Sequence, residues 1–418
     1  MAVGDQVADT VARLARTEGP RVLATLIRVT GSVERAEDAV QDAVVRALET
    51  WPRDGVPDNP GGWLLVAAKR RALDVIRREA RRPGKEAEAM TGEFPAGPDD
   101  GLEPPEVVRD DLLRLVFTCC HPALGAQAQV ALALRTLGGL STAEVAAGLL
   151  VSEATMAKRL TRAKQKIATA HIPYRVPGAD ELPGRIAGVA STIYLIFNEG
   201  YAAGAGTEVL RVALTDEAIR LARLLAELMP DEPTALGLLA LLLLQDSRRA
   251  ARLDQAGRPV LLADQDRTRW DATAISEGIT LVGTALRRTP VHPDPYVVQA
   301  AIAACHALAP SYAETNWDAV ISWYDVLLTV RDSPVVRLNR AAAVAERDGA
   351  AAGLLLVDNI EGLAEYPWWH ASRAELLRRL GRAEPAKAAY RRAVELGMSQ
   401  PQTDQLRRRF DLEPGPPD

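Results

Sequence analysis

Small residues at Ala319, Ala352 and Ala386 recur 33 and 34 residues apart, and each is followed four positions later by a large side chain, Trp323, Leu356 or Tyr390. Seven positions after each small residue stand Val326, Asn359 and Ala393. A stack of helix pairs requires such a period, because a small residue lets two helices approach and the large one fills the next groove. Looser copies with a closing proline are Gly278, Val282, Ala285 and Pro290, and Ala218, Ala222, Leu225 and Pro230. From Arg185 onward the chain is a series of Ala- and Leu-rich amphipathic segments without strand-like alternation. With 48% apolar, 25% charged and only 5% aromatic residues, this is a folded, helix-leaning composition. An all-α fold follows, with a helical solenoid over 185–418. Unrelated amphipathic helices in an alanine-rich chain remain the alternative.

A chain of 418 residues exceeds one compact core, so several domains are expected. Lys69 to Lys85 holds eight basic residues against Asp74 and Glu79, whereas Glu86 to Asp110 holds eight acids against Arg109. The acidic stretch also contains Pro95, Gly97, Pro98, Gly101, Pro104 and Pro105, so it reads as a linker. Periodicity returns from Val107 to Ile172, and Pro173, Pro177, Gly178, Pro183 and Gly184 punctuate the chain again. The expected plan is a domain over 1–85, a linker over 86–106, a domain over 107–172, a linker over 173–184 and the solenoid over 185–418.

Between Ala36 and Trp51, apolar Val40, Val44, Ala47, Leu48 and Trp51 define one buried face, with Asp38, Gln41, Asp42, Arg46 and Glu49 elsewhere on the surface. Pro52 to Gly62 reads as a breaker, after which a helix from Trp63 to about Arg82 turns Leu64, Ala68, Ala72 and Ile76 inward. Arg70, Asp74, Arg77, Arg78 and Arg81 then share a stripe. A row of guanidiniums at helical spacing can track a phosphate backbone and release its counterions, although a merely solvated charged face has the same pattern.

Leu140 to Leu160 has the layout of a helix-turn-helix. Ser141 and Glu144 form a capping box, Leu149, Leu150 and Val151 an apolar corner, and a second helix begins at Ser152. That helix buries Met156, Leu160, Ala163 and Ile167 and presents Ser152, Glu153, Thr155, Lys158, Arg159 and Arg162, which suits a major groove. Arg162, Lys164 and Lys166 would lie near phosphates. A plain three-helix bundle is the competing reading.

Other chemistries lack their residues. Cys119, Cys120 and Cys305 cannot build a disulfide framework and fit a reducing cytoplasm, and the run Cys119-Cys120-His121 lacks the spacing of a zinc site, so buried thiols are expected and no metal or cofactor. An enzyme would have to draw on Asn198, Glu199, Asp264 and Asp266, with no nucleophile pair, phosphate loop or metal motif beside them. No catalytic residue is assigned. Asp5 and Asp9 ahead of any apolar run argue against a signal peptide, and the longest apolar stretch, Ala235 to Leu244, is too short to span a bilayer. A cytoplasmic protein without a membrane partner is expected, and with a net charge of −5 any nucleic-acid role must come from local patches.

Two basic helical modules in this order resemble regions two and four of bacterial extracytoplasmic-function sigma factors. Ala36 to Glu49 is similar to the family's polymerase-binding helix, Trp63 to Arg78 to its promoter-melting helix, and Leu140 to Ile167 to its region-four reader. The words Ile193-Tyr-Leu-Ile-Phe-Asn-Glu-Gly-Tyr201, Asp264 to Trp270 and Pro334 to Arg340 resemble the subgroup with a tetratricopeptide-like C-terminal extension. The resemblance implies an alternative sigma factor whose partners are core RNA polymerase, through the clamp helices of the beta-prime subunit and the flap of the beta subunit, and promoter DNA. Asp38, Gln41, Asp42 and Arg46 would meet polymerase. Asn59, Trp63, Lys69, Arg70, Asp74, Arg77 and Arg78 would meet the minus-ten element, and Ser152, Glu153, Thr155, Lys158, Arg159 and Arg162 the minus-thirty-five element. Where the family often has Thr-Val-Lys-Ser-Arg, this chain has Thr155-Met-Ala-Lys-Arg159, with the lysine one position later. A stand-alone helix-turn-helix regulator is the alternative function. Asn198, Glu199, Tyr201, Asp264, Asp266, Arg267 and Trp270 are candidates for regulation, through intramolecular contact of the extension with the sigma domains or through a small ligand.

Overall fold

The computed structural model describes residues 3–80, 105–149, 151–201, 212–289, 293–398, 403–404, 407–408 and 410. Among them every regular element is helical, and the only β contact is an isolated bridge between Leu253 and Pro259. The all-α expectation is met. The chain divides into two compact units, Met1–Thr192 and Ile193–Asp418.

The first unit begins with α1 (Val3–Thr17), α2 (Gly19–Thr30), α3 (Val33–Asp54) and α4 (Pro60–Ala80). Ser32 caps α3, its side chain accepting from the Arg35 amide, and Gly31 closes α2 in the left-handed region at φ 64°. Pro52 does not break the helix as expected. It lies inside α3, which runs on to Asp54, and the next helix starts three residues earlier than Trp63. The buried face of α3 is also shifted. Ala36, Ala39, Ala43, Ala47 and Trp51 are buried, Val40 and Val44 are half-buried, and Leu48 is exposed. Alanines pack inward because the neighbouring helices come close, and the larger aliphatic residues are displaced toward solvent.

The unit continues with α5 (Pro105–Cys119), α6 (Ala126–Leu132), a widened turn over Ala133–Leu137, α7 (Thr142–Gly148), α8 (Glu153–Thr169) and α9 (Leu182–Tyr201). Residues 81–104 and Leu150 lie outside the described residues, so the linker expected over 86–106 falls there almost entirely. Residues 173–184 were expected to be a second linker. Instead the Tyr174 hydroxyl lies 2.8 Å from the Ala24 carbonyl and 2.9 Å from that of Asp111, and Arg185 donates to the Phe117 carbonyl at 2.6 Å. Ile186, Val189 and Ala190 are buried beyond it. These anchors carry the first unit past residue 184, and the division falls inside α9.

The second unit runs through α10 (Val212–Leu228), α11 (Pro233–Asp246), α12 (Ala272–Arg288), α13 (Pro295–Leu308), α14 (Trp317–Val330), α15 (Pro334–Asp348), α16 (Ala350–Asp358), α17 (Pro367–Arg379) and α18 (Ala383–Glu395), each packed on its chain neighbour. Ala319, Ala352 and Ala386 fall on α14, α16 and α18, alternate helices of this series. α11 is buried all round from Thr234 to Leu244, as a helix that is apolar on every face must be.

Two glycines set helix spacing. A Cβ on Gly237 would lie 2.7 Å from the Val297 amide nitrogen, and one on Gly353 would lie 2.3 Å from the Ala345 Cβ. Neither neighbour is a flexible side-chain end, so the helices themselves would have to part. Gly353→Leu is expected to cost at least about 1–3 kcal/mol, the usual penalty of overpacking. Loss of protection of α15 and α16 amides in hydrogen exchange checks it, with unchanged protection in α10 and α11.

Candidate nucleic-acid interface

The helix-turn-helix forms as its residues dictate. Ser141 accepts from the Glu144 amide at 3.1 Å, and Glu144 accepts from the Ser141 amide at 2.7 Å, completing the capping box. Those bonds, with Arg16 nearby, hold the Glu144 carboxyl below its ordinary pKa. Ser152 caps α8 through the Thr155 amide. Met156, Leu160 and Ala163 are buried and Ile167 is half-buried, so Ser152, Glu153, Thr155, Lys158 and Arg162 face solvent, with Arg159 half-exposed.

Arg159 and Arg162 line a concavity of about 370 Å³ together with Lys158, Lys166, Thr155 and the Ala123–Gly125 turn. None of the four cations has a carboxylate partner among the described residues. Lys164, expected near phosphate, is turned away: it pairs with Glu37 of α3. Ser152 and Thr155 are engaged with each other at 2.8 Å, so their first task is the cap.

On α4, Arg70 and Arg78 are exposed and likewise lack a carboxylate partner among the described residues. Arg77 stands 4.0 Å from Asp74, a loose exposed pair, and Lys69 is half-buried. Two assigned residues have structural work. The Asn59 side chain accepts from the Gly62 amide at 3.0 Å and opens α4, and Trp63 packs edge-to-face on Trp51 with ring centroids 5.2 Å apart. Trp63 also joins the cluster of Val7, Val11, Leu14 and Ala47.

The polymerase-facing candidates lie on α3. Asp38, Gln41, Asp42 and Arg46 are all exposed, and Asp42 pairs with Arg71 of α4. Sequence reasoning missed the apolar part of this surface: Val45, one turn from Gln41 and Asp42, is 52% exposed, and Leu48, about two turns on, is 42% exposed. A helical wheel centred on the alanines instead of the large aliphatics would have found it.

Also missed was the buried ion cluster between α2 and α5. Asp111 is fully buried, and its carboxylate accepts from Arg28 Nε at 2.9 and 3.1 Å and from Arg114 Nη1 at 2.9 Å. Cys119 and Cys120 are buried as expected, and burial pushes the Cys120 thiol up to about 12. No group of residues able to hold a metal occurs among the described residues, and no described helix is long and apolar enough to cross a membrane. Of the C-terminal candidates, Asp264 and Asn198 are exposed, Asp266 caps a short turn through the Thr268 amide, Tyr201 lies under Arg248 and Arg252, and Arg267 stacks over the Trp270 ring.

Three family models match the chain: Sigma-70 region 2 over residues 14–82, Sigma-70 region 4 over 114–167, and a family of unknown function, DUF6596, over 185–286. An uncharacterised protein of Rhizobium meliloti is 43% identical over 399 residues, covering 94% of this chain and 93% of its own length. The ECF RNA polymerase sigma factor SigE of Mycolicibacterium smegmatis is 27% identical over 40% of this chain and 63% of its own length. SigG of Mycobacterium tuberculosis, another ECF RNA polymerase sigma factor, is 28% identical over 37% of this chain and 47% of its own length.

Removing the Asp111 carboxylate strands Arg28 and Arg114 together. Breaking a buried pair typically costs 3–5 kcal/mol, but both guanidiniums keep about a third of their surface, so Asp111→Ala is expected to cost about 2–3 kcal/mol. The exposed pair of Asp42 and Arg71 is worth under about 1 kcal/mol by comparison. Hydrogen exchange in the full chain checks the first on α2 and α5 amides and the second on α3 and α4 amides.

Proposed function

This chain belongs to the extracytoplasmic-function class of sigma-70 proteins with an added C-terminal region, and from that premise we propose how its residues divide the work of promoter selection. It is an alternative sigma factor that directs RNA polymerase. It acts in the cytoplasm, as a binding protein and not an enzyme.

The observation that carries the assignment is the pairing of two faces on adjacent helices. α3 exposes Val45 and Leu48 beside Asp38, Gln41, Asp42 and Arg46, and α4, packed against it, exposes uncompensated Arg70 and Arg78. An apolar centre with a polar rim suits a protein partner, and unpaired guanidiniums suit phosphates. The α3 face is assigned to the clamp helices of the beta-prime subunit. Lys69, Arg70, Asp74, Arg77 and Arg78 are assigned to the minus-ten element, with Asn59 and Trp63 shaping the start of that helix. Arg159 reads the minus-thirty-five element, with Ser152, Glu153, Thr155 and Lys158 at its rim and Arg162 on phosphate. The region-four module is also assigned a contact with the beta-subunit flap.

Run-off transcription with purified core polymerase is the direct test, and no promoter-dependent product from any genomic template would reject the reading. Val45→Asp with Leu48→Asp is expected to abolish copurification with core polymerase while melting stays unchanged, since both side chains already face water. Arg162→Ala is expected to weaken binding to all DNA sequences alike and to lower the salt slope by about one, whereas Arg159→Ala relaxes sequence preference. Binding isotherms at several salt concentrations separate the two. The C-terminal unit is assigned to control of this activity, so a chain ending at Tyr201 should transcribe at a rate different from that of the full chain. Equal rates would remove that assignment.

A further inference from the structure

The second unit contains a cavity of about 570 Å³ lined from α11, the Leu262–Trp270 segment, α13, α14 and α15. Its polar lining includes Arg248, Arg331, His306, Trp270, Gln299 and Asn339, and it includes no carboxylate. Leu241, Leu244, Ile302, Leu327, Val335 and Val336 supply apolar walls. This size and mixture belong to sites for small organic molecules, in which a few polar groups orient a body held by apolar side chains.

The charges here are not neutralised. Arg248 donates to the Tyr201 hydroxyl and the Gln245 side-chain carbonyl, both neutral, and Arg331 has no carboxylate partner among the described residues. Arg267, stacked over the Trp270 ring at 4.1 Å, donates to the backbone carbonyls of His306 and Ala309. Elsewhere in this unit arginines find acids: Arg223 pairs with Glu277, Arg249 with Asp216 and Asp246, and Arg340 with Asp325. Burial together with Arg248 and Arg267 pulls the His306 pKa down to about 4, so the ring is neutral at physiological pH.

Donors are also left over. Trp270 is only 7% exposed, yet its Nε1 has no hydrogen-bond partner among the described residues, and the same holds for His306 Nδ1, which donates in the neutral ring's Nδ1–H tautomer. A buried donor without an acceptor costs free energy, and most such groups in folded proteins are satisfied. Trp270 and His306 both line the cavity, so one acceptor-rich anion there would serve both. We propose that this cavity is a binding site for a small organic carboxylate with an apolar body, its charged end held by Arg248 and Arg331 and its rim by the Trp270 and His306 ring nitrogens. The site stands apart from the sigma-factor reading, since every lining residue lies in the second unit.

The test is titration calorimetry on the full chain with matched probes: phenylacetate, phenylacetamide and phenethylamine, and indole-3-acetate, indole-3-acetamide and tryptamine. In each set the ring is constant and only the charge changes. The carboxylates are expected to bind about tenfold or more tighter than the amides, because a charge-assisted bond is roughly twice as strong as a neutral one, and the amines are expected not to bind. Arg331→Gln, at an exposed position where refolding is not at issue, should remove most of that preference, and Trp270→Phe should weaken the carboxylates at constant ring burial. Verified melting of both variants guards against a folding artefact. No carboxylate binding at up to about 5 mM, a concentration that would largely fill a site with a Kd of about 1 mM, overturns the proposal. So do amides binding as well as carboxylates, or a preference that survives Arg331→Gln and Arg248→Gln together.

Discussion

A carboxylate buried between α2 and α5 organises the first unit. Asp111 gives up all its hydration, and two guanidiniums arriving from different helices replace it. Pairing in this setting fixes register more than it adds net stability, since desolvation consumes much of the Coulomb gain. Its specificity is extended by neighbours. The Tyr174 hydroxyl reaches the Asp111 carbonyl and the Ala24 carbonyl, and desolvation beside Asp111 pushes that phenol well above its ordinary pKa, so it stays protonated as a donor. Farther out, Arg16 meets Glu144 at 2.7 Å and Lys164 meets Glu37, two contacts joining the region-two helices to the helix-turn-helix. Gly139 completes the seam. With φ at +66°, its position also places any Cβ 3.1 Å from the Arg16 backbone, so both backbone conformation and space call for glycine.

The second unit is held differently. Its interior is aliphatic, with α11 buried over eleven consecutive residues, and its helix spacing is set by small residues. Ions mark the outside: Arg347 with Asp318, Arg373 with Asp358 and Arg392 with Glu365 are largely solvent-exposed pairs of small individual worth. Against that background the cluster around Arg248 departs from the pattern, because it combines buried donors with no acid. A stack of helices can hold a cavity where a turn such as Leu262–Trp270 replaces a packing helix face, and the cavity described above borders that turn.

Much of this was legible in the residues. Helical periodicity gave the all-α class, the Ser141 and Glu144 spacing gave the capping box, and the alternation of Ala319, Ala352 and Ala386 fell on alternate helices. What misled were size-based assumptions. Large aliphatics on α3 looked like the core, but alanines occupy it because tightly packed helices leave no room for more, and Pro52 sits near enough to the helix end for the helix to continue. Pairing across long sequence separation was not readable at all. Nothing near Asp111 in the sequence indicates Arg28, and Lys164 looks like a phosphate contact until Glu37 is beside it. The cavity was invisible for the same reason, since Arg248, His306 and Arg331 come from three separate helical segments.

The distribution of paired and unpaired charge then separates holding from reading. Chain-wide acidity of −5 would repel a polyanion, yet attraction over a Debye length of about 10 Å depends on the local face. In the first unit, Arg16, Arg28 and Lys164 meet carboxylates of other helices, at the seams of the fold. On the two helices assigned to DNA, Arg70 and Arg78 of α4 and Lys158, Arg159, Arg162 and Lys166 of α8 have no carboxylate partner among the described residues, and Arg77 has only the loose pair with Asp74. A guanidinium already paired would have to surrender its carboxylate before gaining a phosphate, so an unpaired one contributes more to binding per residue. The same logic applies in the second unit on a smaller scale, where uncompensated arginines stand around a cavity in place of a groove.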